Sequence, residues 1–257
     1  MLDKSKLSHL SKKDEGAKNI SSEEIERFDQ LAESWWDPQG KYKTALIFNQ
    51  ARISYFIPQI CEHFERDANA KNYLQGLNIL DLGSGGGLVC EALAKQGANV
   101  TGIDASAMSV EVAKRHALKS GLDIDYRHML STDLVQQGSQ FDVVINAEVL
   151  EHVPDQNSLV GECAALTKNG GFVILATLNR TIKSYIIAII GAEYVLRYLP
   201  IGTHSWRKFV RPVELHDMAS FSGLTQVGES GMAYNPLTKR WRLTSDMSVN
   251  YIQTYKK

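Results

Sequence analysis

The chain has little cysteine. Its three, Cys61, Cys90 and Cys163, are odd in number, far apart and form no C-x-x-C pair. That pattern argues against zinc knuckles and dithiol redox sites and fits a reducing compartment. No apolar run reaches the roughly 18 residues of a membrane span. Charge of one sign is also lacking: 28 Lys and Arg stand against 29 Asp and Glu, for a formal net charge of -1. No overall basic excess points to nucleic acid, so no nucleic-acid partner is expected and any attraction to an acidic surface must be local. There is no internal repeat and no long low-complexity tract. The first 18 residues lack an apolar signal core, and their three acids argue against a transit peptide. Residues 1–20 are read as a disordered leader.

What is present is an ordinary globular composition, 44% hydrophobic and 22% charged over 257 residues. That length suits one large α/β domain able to bury a core without disulfides or structural metal. Ser21-Ser-Glu-Glu24 reads as a capping box opening a helix. Ile25, Phe28, Leu31 and Trp35 then recur on one helical face, and Trp35-Trp36-Asp37-Pro38-Gln39-Gly40 supplies turn chemistry that stops it. A second helix is expected over residues 45–64, kinked or interrupted near Pro58.

From Leu77 the pattern changes. Short apolar strands are expected over Asn78–Leu82 and residues 100–103, 124–127, 141–147 and 172–177, with helices over residues 88–95, 106–119 and 157–166 between them. Alternation of buried strands with helices implies a parallel sheet covered on both faces. After Thr177 the alternation breaks: an apolar helix is expected over residues 181–199, a loop rich in polar and aromatic residues over 200–211 and a helix over 212–222. Two final strands, over 225–232 and 247–254, can pair. Residues 21–257 are taken as one domain, with the core at about 77–177 and 212–257 and an inserted helix-loop roof at about 178–211.

The chemistry concentrates after the first strand, in Asp81-Leu-Gly-Ser-Gly-Gly-Gly87. A strand running into a glycine-rich turn and a helix is a nucleotide-binding arrangement, and glycines let backbone approach a ligand without Cβ clashes. Several cofactors use such a loop, and three details narrow it. Gly83, Gly85 and Gly87 are spaced G-x-G-x-G, whereas the dinucleotide fingerprint needs its third glycine where this chain has Leu88. Asp81 ends the strand just before the loop; a carboxylate there would repel a pyrophosphate but suits the ammonium and sulfonium charges of S-adenosylmethionine. Asp104 ends the next strand, where an acid can accept both ribose hydroxyls; alternatively it only caps the following helix. Asp133, in the loop after the third strand, is either near an adenine edge or in a solvated turn.

The fourth strand ends in Asn146-Ala-Glu-Val-Leu-Glu-His-Val-Pro154. Ligands of open α/β sheets sit beyond the carboxyl ends of strands, so Glu148, Glu151 and His152 are placed for chemistry. Two carboxylates and an imidazole can bind a divalent cation, Mg2+ or another. They can instead form an acid–base group with His152 taking a proton, or merely orient the loop. His204, in Gly202-Thr-His-Ser-Trp-Arg-Lys208, offers a second imidazole beside an indole and two cations, as part of a lid over an aromatic substrate or as a plain surface loop.

Ile79-Leu-Asp-Leu-Gly-Ser-Gly-Gly-Gly87 followed by Gly102-Ile-Asp104 resembles class I methyltransferases. Leu31-Ala-Glu-Ser-Trp-Trp-Asp-Pro-Gln-Gly40, Phe48-Asn-Gln-Ala-Arg52, Glu148-Val-Leu-Glu-His-Val-Pro-Asp155, Leu178-Asn-Arg-Thr181, Gly191-Ala-Glu-Tyr-Val-Leu196 and Gly202-Thr-His-Ser-Trp-Arg-Lys-Phe209 are more specific. From about Ile25 to the C-terminus they are similar to the ubiquinone biosynthesis O-methyltransferases. The resemblance implies a Rossmann-like α/β sheet with an N-terminal helical extension. It implies methylation of 2-polyprenyl-6-hydroxyphenol and 3-demethylubiquinol, with cofactor contacts at Arg52, Gly83, Asp104 and Ala147. In members with a divalent ion, it implies ligands matching Glu148, Glu151 and His152.

Transfer from a sulfonium is an in-line displacement, so the protein must align a phenolate oxygen with the methyl carbon. A phenol of pKa near 10 needs help to ionise. A cation at Glu148, Glu151 and His152 would supply it, or His152 or His204 acting as base. The oily substrate must be met at a bilayer. Tyr185-Ile-Ile-Ala-Ile-Ile-Gly-Ala192, with Lys183, Arg197, Arg207, Lys208 and Arg211 nearby, is either an interfacial helix on an anionic membrane or a buried core helix. The expected location is cytoplasmic, peripheral to the inner face of the membrane, with other ubiquinone-pathway enzymes as further partners. The alternatives are another small-molecule methyltransferase, acting on nitrogen or carbon, or a non-catalytic cofactor-binding subunit.

Overall fold

A computed structural model describes residues 19, 21–31, 35–36, 43–195, 205–235, 238 and 240–257. Two helices, α1 (Ser22–Leu31) and α2 (Lys43–His63), precede the sheet, and α2 carries Pro58 inside its span. Strands and helices then alternate: β1 (Asn78–Leu82), α3 (Leu88–Ala94), β2 (Asn99–Asp104), α4 (Ala107–Lys119), β3 (Asp125–His128), α5 (Ser131–Gln136), β4 (Phe141–Ala147), α6 (Gln156–Leu166) and β5 (Thr167–Leu178). A short α7 (Ile182–Ser184) runs into a wide π-type helix over Tyr185–Val195. Then come α8 (Pro212–Phe221), β6 (Thr225–Asn235), β7 (Arg240–Thr244) and β8 (Asn250–Lys256).

The eight strands form one sheet in the order β3-β2-β1-β4-β5-β8-β6-β7. β1 to β5 are parallel to one another, and β6, β7 and β8 add antiparallel pairings. Successive residues of a strand face opposite sides. Ile79, Val143, Ile145 and Ile174 pack with Phe56, Ile60, Leu93 and Val110 on one face. Leu80, Val144, Val173 and Leu175 pack with Leu159, Cys163, Leu215 and Ala219 on the other. Apolar runs without alternation are what such double coverage requires.

The helix starts follow local chemistry. Ser106 caps α4 by accepting from Ser109 N at 2.9 Å, and Asp155 caps α6 by accepting from Ser158 N at 3.0 Å. Pro212 begins α8, where its missing N–H costs nothing. Two elements depart from expectation. Residues 131–134, read as loop, open α5, because the Asp133 carboxylate accepts from Leu130 N at 3.0 Å and closes its first turn. β7 was not anticipated; it pairs with β6 beside residues 236, 237 and 239, which lie outside the described residues.

Candidate active site

The order of β2, β1 and β4 creates the site. Leu82 pairs with Ile103 on one side and Asn146 on the other, so the loops leaving three strands begin side by side. Gly83, Gly85 and Gly87 have φ of +81°, +51° and +86°, values that side chains resist. Gly83 N and Ser84 N both donate to Ile103 O at 2.9 Å, binding the loop to the end of β2. Asp104 completes the attachment: Oδ2 accepts from Gly85 N and Oδ1 from Ser106 N, each at 2.8 Å. Its role is therefore not that of a helix cap, which Ser106 fills.

Behind the loop lies a buried charge group. Asp81 is 2% exposed, and burial pushes its carboxyl up to about 6, against the Cys90 thiol that donates to it at 3.1 Å and the nearby Arg52. Arg52 is buried too. Its guanidinium donates to Asn49 Oδ1 at 3.2 Å and lies 4.8 Å from the centre of the Phe48 ring, while Asn49 is fixed by donating to Leu88 O. Burial lowers the Arg52 pKa, and the anionic fields of Glu148, Asp81 and Glu151 oppose the fall. Arg52 Nε, Ser84 Oγ, both amide atoms of Asn146 and Glu151 Oε1 are buried without a hydrogen-bond partner among the described residues. Buried polar atoms are rarely left so, and these belong to or face the same loops. They fit a polar ligand that would complete them.

After β4 the chain turns sharply. Glu148 adopts φ +60°, unusual for a residue with a side chain, and its N–H donates to Ala176 O at 2.9 Å. Leu150–His152 forms one tight helical turn. Glu151 is buried, and its Oε2 accepts from Thr177 Oγ1 at 2.6 Å. Burial first, and the neighbouring Glu148 second, hold its carboxyl well above the usual carboxylate range. His152 Nδ1 is 3.0 Å from Glu24 Oε2 of α1.

Among the described residues no three His, Cys, Asp or Glu side chains converge as a metal set. One oxygen of Glu151 is committed to Thr177 and one nitrogen of His152 to Glu24. His204 lies outside the described residues. Asp133 is occupied in capping α5.

Several side chains at this site were not among the expected site residues. Trp35 lies flat against the loop: a Cβ on Gly86 would stand 2.4 Å from its Cγ, and one on Gly85 2.9 Å from its Cζ2. Trp36 Nε1 donates to Gly86 O at 2.7 Å, and its ring stacks on His116 at 3.5 Å. Asp29 accepts from Ser106 Oγ. The adjacent tryptophans were the available signal: sequence reads them as the end of a helix and as part of the family-like run from Leu31 to Gly40, but does not place them on the glycine loop.

A methyltransferase-domain profile matches residues 80–175. A ubiquinone biosynthesis O-methyltransferase of Chelativorans sp. is 48% identical over 233 residues, covering 91% of this chain and 92% of its own. One from Brucella ovis is 49% identical over 233 residues, covering 91% and 94%. The chain belongs to the ubiquinone biosynthesis O-methyltransferase family.

Two solved structures share the fold of this O-methyltransferase. The magnesium protoporphyrin IX methyltransferase of Synechocystis PCC 6803 has a TM-score of 0.61 at 18% identity, covering 92% of this chain and 95% of that one. A methyltransferase of Thermotoga maritima has a TM-score of 0.63 at 13% identity, covering 91% and 99%. In the present enzyme the structure gathers Arg52, Asp81, Gly83, Gly85 and Asp104 around one strand edge. Ala147 is the last residue of β4, paired with Ala176, and leads directly into Glu148.

Proposed function

We propose that the enzyme transfers a methyl group from S-adenosylmethionine to phenolic hydroxyls of polyprenylated ubiquinone precursors, 2-polyprenyl-6-hydroxyphenol and 3-demethylubiquinol. One observation carries the reading. Asp81 and Asp104 flank a turn of positive-φ glycines, and Arg52 stands behind Asp81. That arrangement favours an ammonium and sulfonium ligand over a pyrophosphate. When bound, the cofactor supplies an electrophilic methyl group.

The residues divide the remaining work. Asp104, already oriented by two backbone N–H groups, keeps acceptor capacity for ribose hydroxyls. Arg52 offers a buried cation to a carboxylate. His152 takes the phenolic proton, since a phenol near pKa 10 is mostly neutral at physiological pH. The tail is served by the apolar helix Tyr185–Val195: Ile186, Ile187 and Ile190 are 52%, 48% and 40% exposed. No helix of the described residues is long and apolar enough to cross a membrane. Its place is against an anionic bilayer surface, with the isoleucines at the acyl boundary.

The test is incubation of the purified enzyme with labelled S-adenosylmethionine and a short-chain 3-demethylubiquinol, with and without a chelator. Label entering the quinol in both arms is the expected result. No transfer in either arm would sink the assignment, and transfer lost only with chelator would show that a divalent ion, and not His152 alone, ionises the phenol.

A further inference from the structure

Helix α1 and the tryptophans that follow it are fastened to α4 and to the glycine loop. Asp29 accepts from Ser106 Oγ, the cap of α4, and Trp35 and Trp36 pack on Met108 and Val112 of that helix. Trp36 Nε1 donates to Gly86 O at 2.7 Å. The other face of the contact is a brace. The Trp36 ring stacks on His116 with 3.5 Å between ring centres and 1° between the planes. His116 Nδ1 lies 2.5 Å from Glu91 Oε1 and 3.3 Å from Ser120 Oγ. Glu91, on α3, is 1% exposed, and Lys95 holds its second oxygen at 3.3 Å.

We propose that Trp36, braced by His116 and Glu91, is a positioning residue for S-adenosylmethionine: it presets the turn at residues 85–87 in the conformation that receives the cofactor. The inference does not depend on the identity of the methyl acceptor. The N–H groups of Gly83, Ser84, Gly85 and Gly87 are tied to Ile103 O, Asp104 or Ser84 O, whereas the Gly86 carbonyl is held from outside the loop, by Trp36. Glycines have many conformations to lose, so fixing such a turn costs conformational entropy. A bond already made to a rigid ring removes that cost from the binding step. The ring is rigid because the imidazole beneath it is fixed by a carboxylate sheltered from water. Sequence separates Trp36 from Gly86 by 50 positions and His116 from Glu91 by 25, so the brace exists only in the folded chain.

The test is calorimetric titration of S-adenosylmethionine into the parent, W36A, W36F, H116A and the W36A/H116A pair, with urea unfolding of each. W36A should weaken binding about tenfold, the worth of one hydrogen bond to a fixed partner. W36F, which keeps a ring on His116 but has no N–H, should fall between W36A and the parent. H116A should weaken binding less than W36A, and the pair should bind no worse than W36A, because His116 acts only through the indole. Parent affinity in W36A or W36F, with only the unfolding midpoint lowered, would assign the ring to packing and overturn the proposal. Losses that multiply in the pair would overturn it as well. Hydrogen exchange reads the preset turn without a ligand: residues 83–87 should exchange faster in W36F than in the parent, and the difference should close at saturating cofactor. Equal exchange in the two ligand-free proteins would refute the claim.

Discussion

Thr177 donates to Glu151 across 2.6 Å, from the end of β5 to the turn after β4. Both residues are buried, and the bond fixes one oxygen of the second carboxylate in Glu148-Val-Leu-Glu151. Thr177→Val keeps the shape and removes the donor. It should cost about 1–3 kcal/mol, the usual penalty for leaving a buried polar group unsatisfied. The bond also opposes the upward push of burial on the Glu151 carboxyl, so the variant should titrate higher still. Urea unfolding measures the first effect; an unchanged midpoint would mean that the hydroxyl contributes nothing.

Asp81 predicts a pH dependence of defined sign. Its folded pKa of about 6 lies above the ordinary aspartate value of 3.8 because the carboxyl is buried. The folded ligand-free enzyme therefore holds a proton that the unfolded chain releases. Stability contributed by that difference is present below about pH 4 and is lost as pH rises through 6. Asp81→Asn removes the penalty. Free of ligand it should exceed the parent at pH 8 by on the order of 1–3 kcal/mol, with the margin gone near pH 4. The same variant should bind S-adenosylmethionine more weakly, since the anion that attracts its ammonium is gone. Greater stability together with undiminished affinity would show that Asp81 does not face the cofactor.

Gly83 allows a close approach of two loops. At φ +81°, an added Cβ would stand 2.2 Å from Val149 Cγ2. Gly83→Ala should destabilise the enzyme by about 1–3 kcal/mol through backbone strain and overpacking. Adding Val149→Ala should return part of that loss but not the strain, which belongs to φ. Thermal melts of the single and double variants separate the two, and full recovery in the double would put the whole cost in the clash.

The sequence carried the parallel half of the sheet clearly because each strand there is an uninterrupted apolar run bounded by turns. The Phe141–Ala147 strand has the bounds read from its residues. The glycine loop and both flanking acids were equally legible, since backbone conformations of positive φ leave a mark in composition. What escaped was set by tertiary contact. β7 is short and mixed in polarity, and α5 is held by one aspartate read as solvated. Glu24 was assigned to a capping box, and nothing in its neighbours indicates that it reaches His152. The cation at Lys183, expected to face lipid, is paired with Asp246.

That last pairing shapes the prediction for the apolar helix. Ile182, Ile186, Ile187 and Ile190 are exposed, whereas Ile189 is buried against Leu178 and Phe209, so the helix has one face toward the protein and one away from it. Contact with a bilayer would bury the outer face, and Ile187→Glu would place a charge at its centre. Association with anionic vesicles should fall about tenfold or more, while turnover of a short-chain, water-soluble quinol stays at the parent level. Because Lys183 is already engaged, the salt dependence should come from the exposed Arg207 and Arg211, and substituting both with Gln should flatten it. Vesicle sedimentation at two salt concentrations distinguishes the outcomes. Binding unaffected by Ile187→Glu would assign these isoleucines to another contact and leave the tail of the substrate to be met elsewhere on the enzyme.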